Sequence, residues 1–253
     1  MGEPTQKKTP GQIVAPRLDW LEGEVPRAEA FDDTYFSRAG GLEETRHVFL
    51  AGNGLPERWQ GRESFAIAEF GFGTGLNFLT TLKALKAQKV LEKGAAPPHL
   101  TFISFELYPM TRDQLARALG VFPELAQEAA ELIAQWQPEP GWTKLAFAGA
   151  DLWLGIGDAR EMIADLRRGG EGTPSGPVDA WYLDGFSPAK NPELWDEDLL
   201  KTAFEVTAAG GTFATYTAAG WVRRNLASAG FTVEKQKGFA GKREMVAGRK
   251  DQL

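Results

Sequence analysis

The sequence predicts an α/β protein: a mostly parallel sheet covered by helices on both faces, closed by an antiparallel C-terminal hairpin and preceded by a small N-terminal appendage. Three observations predict it. From Phe65 onward, short apolar runs alternate with segments whose apolar residues recur at helical spacing. The first of these runs ends in a glycine cluster, Gly71 to Gly75, that opens a helix, the profile of a buried parallel strand and its turn. The last two strand candidates are separated only by Lys237 to Arg243, too short a span for a crossover helix, so they should pair antiparallel.

Taken in order, residues 1–62 read as the appendage. Leu18 to Leu21 and Val25 flank Glu22-Gly23-Glu24, which suggests a hairpin, and Asp32 to Phe36 with Gly40-Gly41 reads as a loop leading into a short helix near Leu42 to Leu50. Residues 63–250 form the body. Phe65 to Phe70 is the first strand and Leu76 to Ala87 the first helix; Leu100 to Phe105 is the next strand. Thr111 to Ala118 and Pro123 to Trp136 are helical pieces, and Leu152 to Gly155 is a strand. Ala159 to Arg168 (helix), Val178 to Leu183 (strand), Glu197 to Ala208 (helix), Gly211 to Tyr216 (strand) and Gly220 to Ala229 (helix) continue the alternation. Phe231 to Lys235 and Glu244 to Ala247 close it as strands. Ligands of such sheets bind beyond the carboxyl ends of the strands.

Composition narrows the chemistry. At 43% hydrophobic and 25% charged over 253 residues, the chain can bury a sizeable core. With no cysteine it has no disulfides, thiolate nucleophile, iron–sulfur cluster or sulfur-ligated zinc, and two histidines are too few for a His-rich metal centre, so no metal is expected. Met1 to Gln12 is polar and unlike a signal peptide, and no apolar run is long enough to span a bilayer; the expectation is a cytoplasmic protein without a membrane partner. The net charge of -6 hides a gradient: Trp221 to Lys250 carries +6 and the remainder -12. A basic segment on an acidic body suits a phosphate-contacting edge, although a solvated face and a basic tail would look the same.

Three strands in succession end in acids. Glu69 precedes the turn Gly71-Phe72-Gly73-Thr74-Gly75-Leu76-Asn77, whose glycines let a ligand approach the backbone and whose amides sit at a helix start. The spacing is G-x-G-x-G, distinct from the nicotinamide and triphosphate-binding patterns. Glu106 ends the second strand and can bind both hydroxyls of a ribose; Asp158 follows the third, where it can accept from an adenine amino group or cap the next helix. Together these form the arrangement expected of a site for S-adenosylmethionine. The fourth strand runs into Asp184-Gly185-Phe186-Ser187-Pro188-Ala189-Lys190-Asn191-Pro192, where a carboxylate leaving a buried strand, an aromatic ring and stiffening prolines can hold an amine beside a reactive group.

Several long motifs resemble the methyltransferase part of the bifunctional tRNA methylaminomethyl-thiouridine biosynthesis family. They are Phe31-Asp32-Asp33-Thr34-Tyr35-Phe36, Gly41 to Arg46, Gly71 to Leu79, Asp184 to Pro192, Lys237-Gly238-Phe239 and Lys242-Arg243-Glu244-Met245, so the resemblance spans about Phe31 to Gly248. It implies a class I, Rossmann-like S-adenosylmethionine-dependent methyltransferase domain acting on the aminomethyl group of a modified wobble uridine in tRNA. It also implies that Glu69, Gly71, Gly73, Gly75, Asn77, Glu106 and Asp158 hold the cofactor and that Asp184, with Phe186, faces the amine and borders the cofactor. Asp33 and Tyr35 fall in motifs expected near the acceptor. Phe186, Tyr35 or Tyr182 could offer an aromatic face, and Lys190, Arg223, Arg224, Lys242 and Arg243 are expected phosphate contacts of the anticodon loop. Bifunctional members continue into a flavin-dependent oxidoreductase that prepares the amine. Nothing follows Leu253, so a free-standing form and a cut fragment both stay open, with such an oxidoreductase, as domain or separate protein, the expected partner one step earlier. Two alternatives remain: an aminopropyl or small-molecule amine transferase on the same sheet, and a non-catalytic tRNA-binding module.

Overall fold

The computed structural model describes residues 13–37, 40–91 and 97–252; the polar stretch Met1 to Gln12 lies outside them. The N-terminal part forms a small antiparallel sheet, β1 (Leu18–Leu21), β2 (Val25–Ala28) and β3 (Asp33–Thr34). The expected hairpin is there, with Gly23 and Glu24 at positive φ in its turn. The expected loop at Asp32 to Phe36 instead adds β3, which pairs with Arg27 and Ala28. Next comes α1 (Gly41–Glu44), continued by a π-helical stretch over Thr45–Leu50.

The body alternates as expected: β4 (Ser64–Phe70), α2 (Leu76–Leu91), β5 (His99–Glu106), α3 (Arg112–Leu119), α4 (Ala126–Gln135), β6 (Gly141–Phe147), β7 (Ala150–Ile156), α5 (Ala159–Arg168), β8 (Val178–Leu183), α6 (Glu197–Val206), β9 (Thr207–Thr215), α7 (Gly220–Ala229), β10 (Thr232–Lys237) and β11 (Glu244–Arg249). Among the described residues the main sheet has eight strands, ordered β10-β11-β9-β8-β4-β5-β7-β6. The inner pairs are parallel; β11 runs antiparallel to both β9 and β10, and β6 antiparallel to β7.

Two differences from the sequence expectation have local causes. Strand β6 went unforeseen because it is an edge strand whose Thr143, Lys144 and Ala146 are not buried; it turns into β7 through Gly149 at φ 86. Helix α6 stops two residues early. There the buried Thr207 hydroxyl donates to the Ala203 carbonyl (2.6 Å) and accepts the Trp181 indole N–H (2.9 Å), so Thr207 starts β9.

The chain order of the strands reverses at β4: β5 and β7 extend to one side, β8 and β9 to the other. That reversal opens a crevice at the carboxyl ends of β4 and β8, the usual ligand position of such sheets. The two faces carry separate cores. One packs α2, α3, α4 and the appendage over Ile67, Phe102 and Tyr182; the other packs α5, α6 and α7 over Phe70, Trp181 and Phe213. Rings such as Phe78, wedged against Phe102 and Phe147, each contribute roughly 1.5–3 kcal/mol by leaving water. Because Val25, Phe36, Leu42 and Phe49 belong to the first core, the appendage is fixed over the crevice by the same burial that folds the body. No helix among the described residues is long and apolar enough to cross a membrane.

Candidate active site

A cavity of about 650 Å³ occupies this crevice, within the usual range for small-molecule sites. Its floor is made of two touching glycine turns. A side chain on Gly71 (φ 77) would meet the Gly185 Cα at 3.3 Å, so only glycine lets β4 and β8 end this close together. Gly73 (φ 56) faces the Tyr35 ring, 3.0 Å from where a Cβ would stand. Gly75 (φ 71) instead presses toward Phe72 and Leu132 of the core and is not on the cavity wall; it serves the turn.

Glu106 borders the cavity and is aimed by two backbone donors, Gly73 N–H (2.8 Å) and Tyr108 N–H (2.8 Å). Asp158 also borders it, and caps α5 by accepting Arg160 N–H (2.9 Å) while its carboxylate holds the Arg160 guanidinium (2.6 Å). Capping and facing the cavity are thus compatible at this position.

Glu69 is wholly buried and lies off the cavity wall, a placement the sequence did not reveal. It accepts the Ser104 hydroxyl (2.6 Å) and one amide hydrogen of Asn77 (2.7 Å). Asn77 gives its other amide hydrogen to Asp184 (2.7 Å), and its carbonyl oxygen faces the Thr45 hydroxyl (2.8 Å). Asn77 therefore bridges two carboxyls and fixes the direction of Asp184. Burial pushes Glu69 well above the ordinary carboxylate range, against the pull of Ser104 and Asn77. Asp184, half-buried, is pushed up to about 7 by desolvation; Asn77 and the Gly185 amide oppose the rise, Glu44 adds to it, and Lys242 offsets it.

The loop after Asp184 is held to the appendage. Ser187 N–H donates to Asp33 (2.8 Å), and Lys190 donates to the Asp32 carbonyl and lies 4.0 Å from the Asp33 carboxylate. The Phe186 ring stacks on Phe31 (4.6 Å between centroids) and meets Tyr35 edge-on (5.1 Å), giving one wall an aromatic lining. Tyr182 is not part of that wall. The alternation of β8 turns it into the core beneath α2, where its hydroxyl meets Thr81 (3.1 Å).

Three residues that sequence reasoning passed over complete the cavity wall beside Asp184. Tyr216, just past β9, donates its hydroxyl to the Gly185 carbonyl (2.9 Å); Glu44 of α1 pairs with Lys242 (2.7 Å); Thr45 follows Glu44. Glu44 and Thr45 lay inside the Gly41 to Arg46 motif, a signal that was present; Tyr216 closed an apolar strand and carried none. Of the expected phosphate contacts, Lys190 and Lys242 are thus ion-paired at the cavity, while Arg223, Arg224 and Arg243 lie away from it. Arg224 and Arg243 are exposed, and Arg223 is half-buried with its Nε lacking a partner. Arg223 and Arg243, together with Lys235, hold the Glu244 carboxylate below its ordinary range, the Lys235 hydrogen bond contributing most.

The residues present fit S-adenosylmethionine. Gly71 and Gly73, where an added Cβ would crowd Gly185 and Tyr35, keep the backbone open under the crevice, an aimed carboxylate stands at the end of the second strand, and an acid at the third borders the same space. Comparison with known proteins agrees. A family model described as S-adenosyl-L-methionine-dependent methyltransferase matches residues 123–251. Two curated proteins called tRNA 5-methylaminomethyl-2-thiouridine biosynthesis bifunctional protein MnmC are similar over 92% of this chain: one from Aeromonas salmonicida (strain A449) at 49% identity, the other from Aeromonas hydrophila subsp. hydrophila at 48%. The chain spans about a third of their length, 35% in each case. The crystal structure of MNMC2 from Aquifex aeolicus superposes with a TM-score of 0.73 at 23% identity, covering 95% of this chain and 72% of that one; at this identity the likeness speaks for the fold.

Proposed function

The chain belongs to the family of S-adenosyl-L-methionine-dependent methyltransferases, and from that premise we propose that its acceptor is the aminomethyl nitrogen on a modified wobble uridine of tRNA. The product would be the 5-methylaminomethyl-2-thiouridine for which its curated relatives are named. The observation that carries this reading is Asp184: a carboxyl raised to about 7, oriented by Asn77 and placed where the glycine floor meets a wall of aromatic and acidic side chains.

Bound S-adenosylmethionine supplies a methyl group activated by a sulfonium. The backbone at Gly71 and Gly73 would let it lie close, Glu106 would take the ribose hydroxyls, and Asp158 would take the adenine edge. Gly75 and Glu69 act from behind, shaping the turn and backing Asn77, which itself lines the cavity and aims Asp184. An alkyl amine resembles lysine, with a pKa near roughly 10, so it arrives charged and must lose a proton before its nitrogen can attack. Asp184 receives that proton, directly or through a water. Raising Asp184 from 3.8 to about 7 narrows its mismatch with the amine by about 4 kcal/mol, which makes the transfer less uphill. Phe186, with Phe31 and Tyr35, stacks on the base and keeps water from the amine. Asp33 ties β3 to the Asp184 loop and so keeps this wall closed. Arg223, Arg224 and Arg243 meet phosphates of the anticodon loop. A flavin-dependent oxidoreductase, on the same polypeptide or a separate one, supplies the amine one step earlier.

The test uses labelled S-adenosylmethionine with bulk tRNA from a strain lacking this methylation, and in parallel with putrescine. Label should enter the tRNA. Label entering the polyamine, or none entering tRNA although the cofactor binds, would overturn the proposal.

A further inference from the structure

Glu44 is 15% exposed and lines the cavity, yet it lies on α1, far in sequence from the glycine turns and from Asp184. The Lys242 ammonium sits 2.7 Å from its carboxylate and 4.9 Å over the Tyr216 ring. A carboxylate on one side and an aromatic face on the other are what a primary alkylammonium requires. Tyr216 is itself fixed by its hydrogen bond to the Gly185 carbonyl, one residue from Asp184. Asp33 from β3, Glu44 from α1, Asp184 from the loop after β8 and Tyr216 line the same cavity, where burial and then these carboxyls push the Tyr216 hydroxyl well above its ordinary range, with Lys242 and Lys190 as the neighbouring cations. Lys242 belongs to an exposed loop between β10 and β11, with Ala240 (φ 45) and Gly241 (φ 82) beside it, and its own side chain is 49% exposed.

The geometry points to Glu44, with the ring face of Tyr216, as the seat of the acceptor's charged amine, and to the Lys242 ammonium as an in-chain stand-in that the acceptor displaces. A protonated aminomethyl group and the tip of a lysine present the same terminal chemistry. A largely buried carboxylate is costly to leave without a partner, so Lys242 leaves as the acceptor ammonium enters, and the charge at the site is conserved. Glu44 thereby selects for an amine and delivers it next to Asp184, which takes the proton.

This inference rests on the amine-acceptor reading above. The experiment is equilibrium binding, with S-adenosylhomocysteine in place of the methyl donor, of two tRNA preparations: one bearing the aminomethyl wobble uridine and one without that amine. The parent protein should prefer the first, and because the amine there exchanges with the Lys242 ammonium, the preference should widen by about ten-fold, the weight of one charge-assisted contact, when Lys242 is removed. Glu44→Gln should abolish the preference while S-adenosylhomocysteine affinity and melting stay at the parental values. Lys242→Met, at an exposed side chain, should tighten binding of the amine-bearing tRNA alone. A folded Glu44→Gln protein that keeps the preference overturns the inference, and so does a Lys242→Met protein that binds both tRNAs equally more weakly, as loss of a phosphate contact would. A parent that methylates the amine-bearing tRNA without preferring it overturns the inference and leaves the functional proposal standing; a parent that neither methylates nor prefers it overturns both.

Discussion

Replacing Asp184 by asparagine should make the protein a poorer catalyst and, above neutral pH, a more stable one. The carboxyl is lifted from an ordinary 3.8 to about 7, chiefly by desolvation, so between those pH values the folded chain holds a proton that the unfolded chain has released. Stability contributed at this site therefore falls as pH rises from about 4 to about 7, and the full cost, about 4 kcal/mol, is present above 7. An asparagine has no such titration. From pH 5 to pH 8 the stability of Asp184→Asn relative to the parent should improve by about 2.5 kcal/mol. At roughly 2–4 °C per kcal/mol for a domain of this size, that is a relative gain of about 5–10 °C in melting temperature. Urea denaturation of both proteins at the two pH values reads the difference directly, and taking a difference of differences removes the contribution of whatever hydrogen bonds the new amide makes. Single-turnover methylation by the variant should slow by ~10²-fold or more near neutrality and recover partly at higher pH, where deprotonated amine becomes available unaided. A stability difference that does not change between pH 5 and pH 8 would show that Asp184 does not carry a raised pKa, and the argument for it as proton acceptor would fail with it.

Other expectations follow from the same geometry. Asn77→Ala removes the donor that favours the charged form of Asp184, so the acid limb of the pH–rate profile should move above 7, with a loss of about 1–3 kcal/mol in folding stability from the two carboxyls left without it; an unmoved limb would mean that Asn77 does not orient Asp184. Gly73→Ala puts a methyl 3.0 Å from the Tyr35 ring at a positive φ, so calorimetry should find S-adenosylmethionine affinity reduced at least ten-fold in a protein that still melts cooperatively; unchanged affinity would move the cofactor elsewhere. Charge reversal at Arg224 and Arg243 should weaken tRNA binding and flatten its dependence on salt by about one to two phosphate contacts, leaving cofactor affinity as it was; an unaltered slope would return both side chains to the solvated surface.

The alternation of strand and helix was readable because buried parallel strands are short apolar runs and their helices are amphipathic; α5, β8 and α7 fall on the predicted residues. Strand β6 escaped because an edge strand need not be apolar, and β3 because two residues carry no periodicity. At the site, the glycine turn, Glu106, Asp158 and Asp184 were visible as residues at strand ends, where ligand position follows from topology. The role of Glu69 was not. An acid at the end of a strand looks the same from sequence whether it faces a cavity or, as here, lies buried beneath it behind Asn77. Lys242 and Lys190 show the opposite limit: their charge was plain, but their partners Glu44, Asp32 and Asp33 lie far away in the chain and meet them only once the appendage packs over the crevice. Net charge along a segment cannot distinguish a lysine aimed at a phosphate from one already paired.

The central claim, methyl transfer to an exocyclic amine of tRNA, is tested most directly by mass spectrometry of the nucleosides released from tRNA after incubation with the protein and isotope-labelled S-adenosylmethionine. The account predicts that the aminomethyl wobble nucleoside disappears as a species heavier by one labelled methyl group, carried on the side-chain nitrogen, appears in its place. Label on a ring atom, on a ribose oxygen or at another position of the tRNA would contradict it.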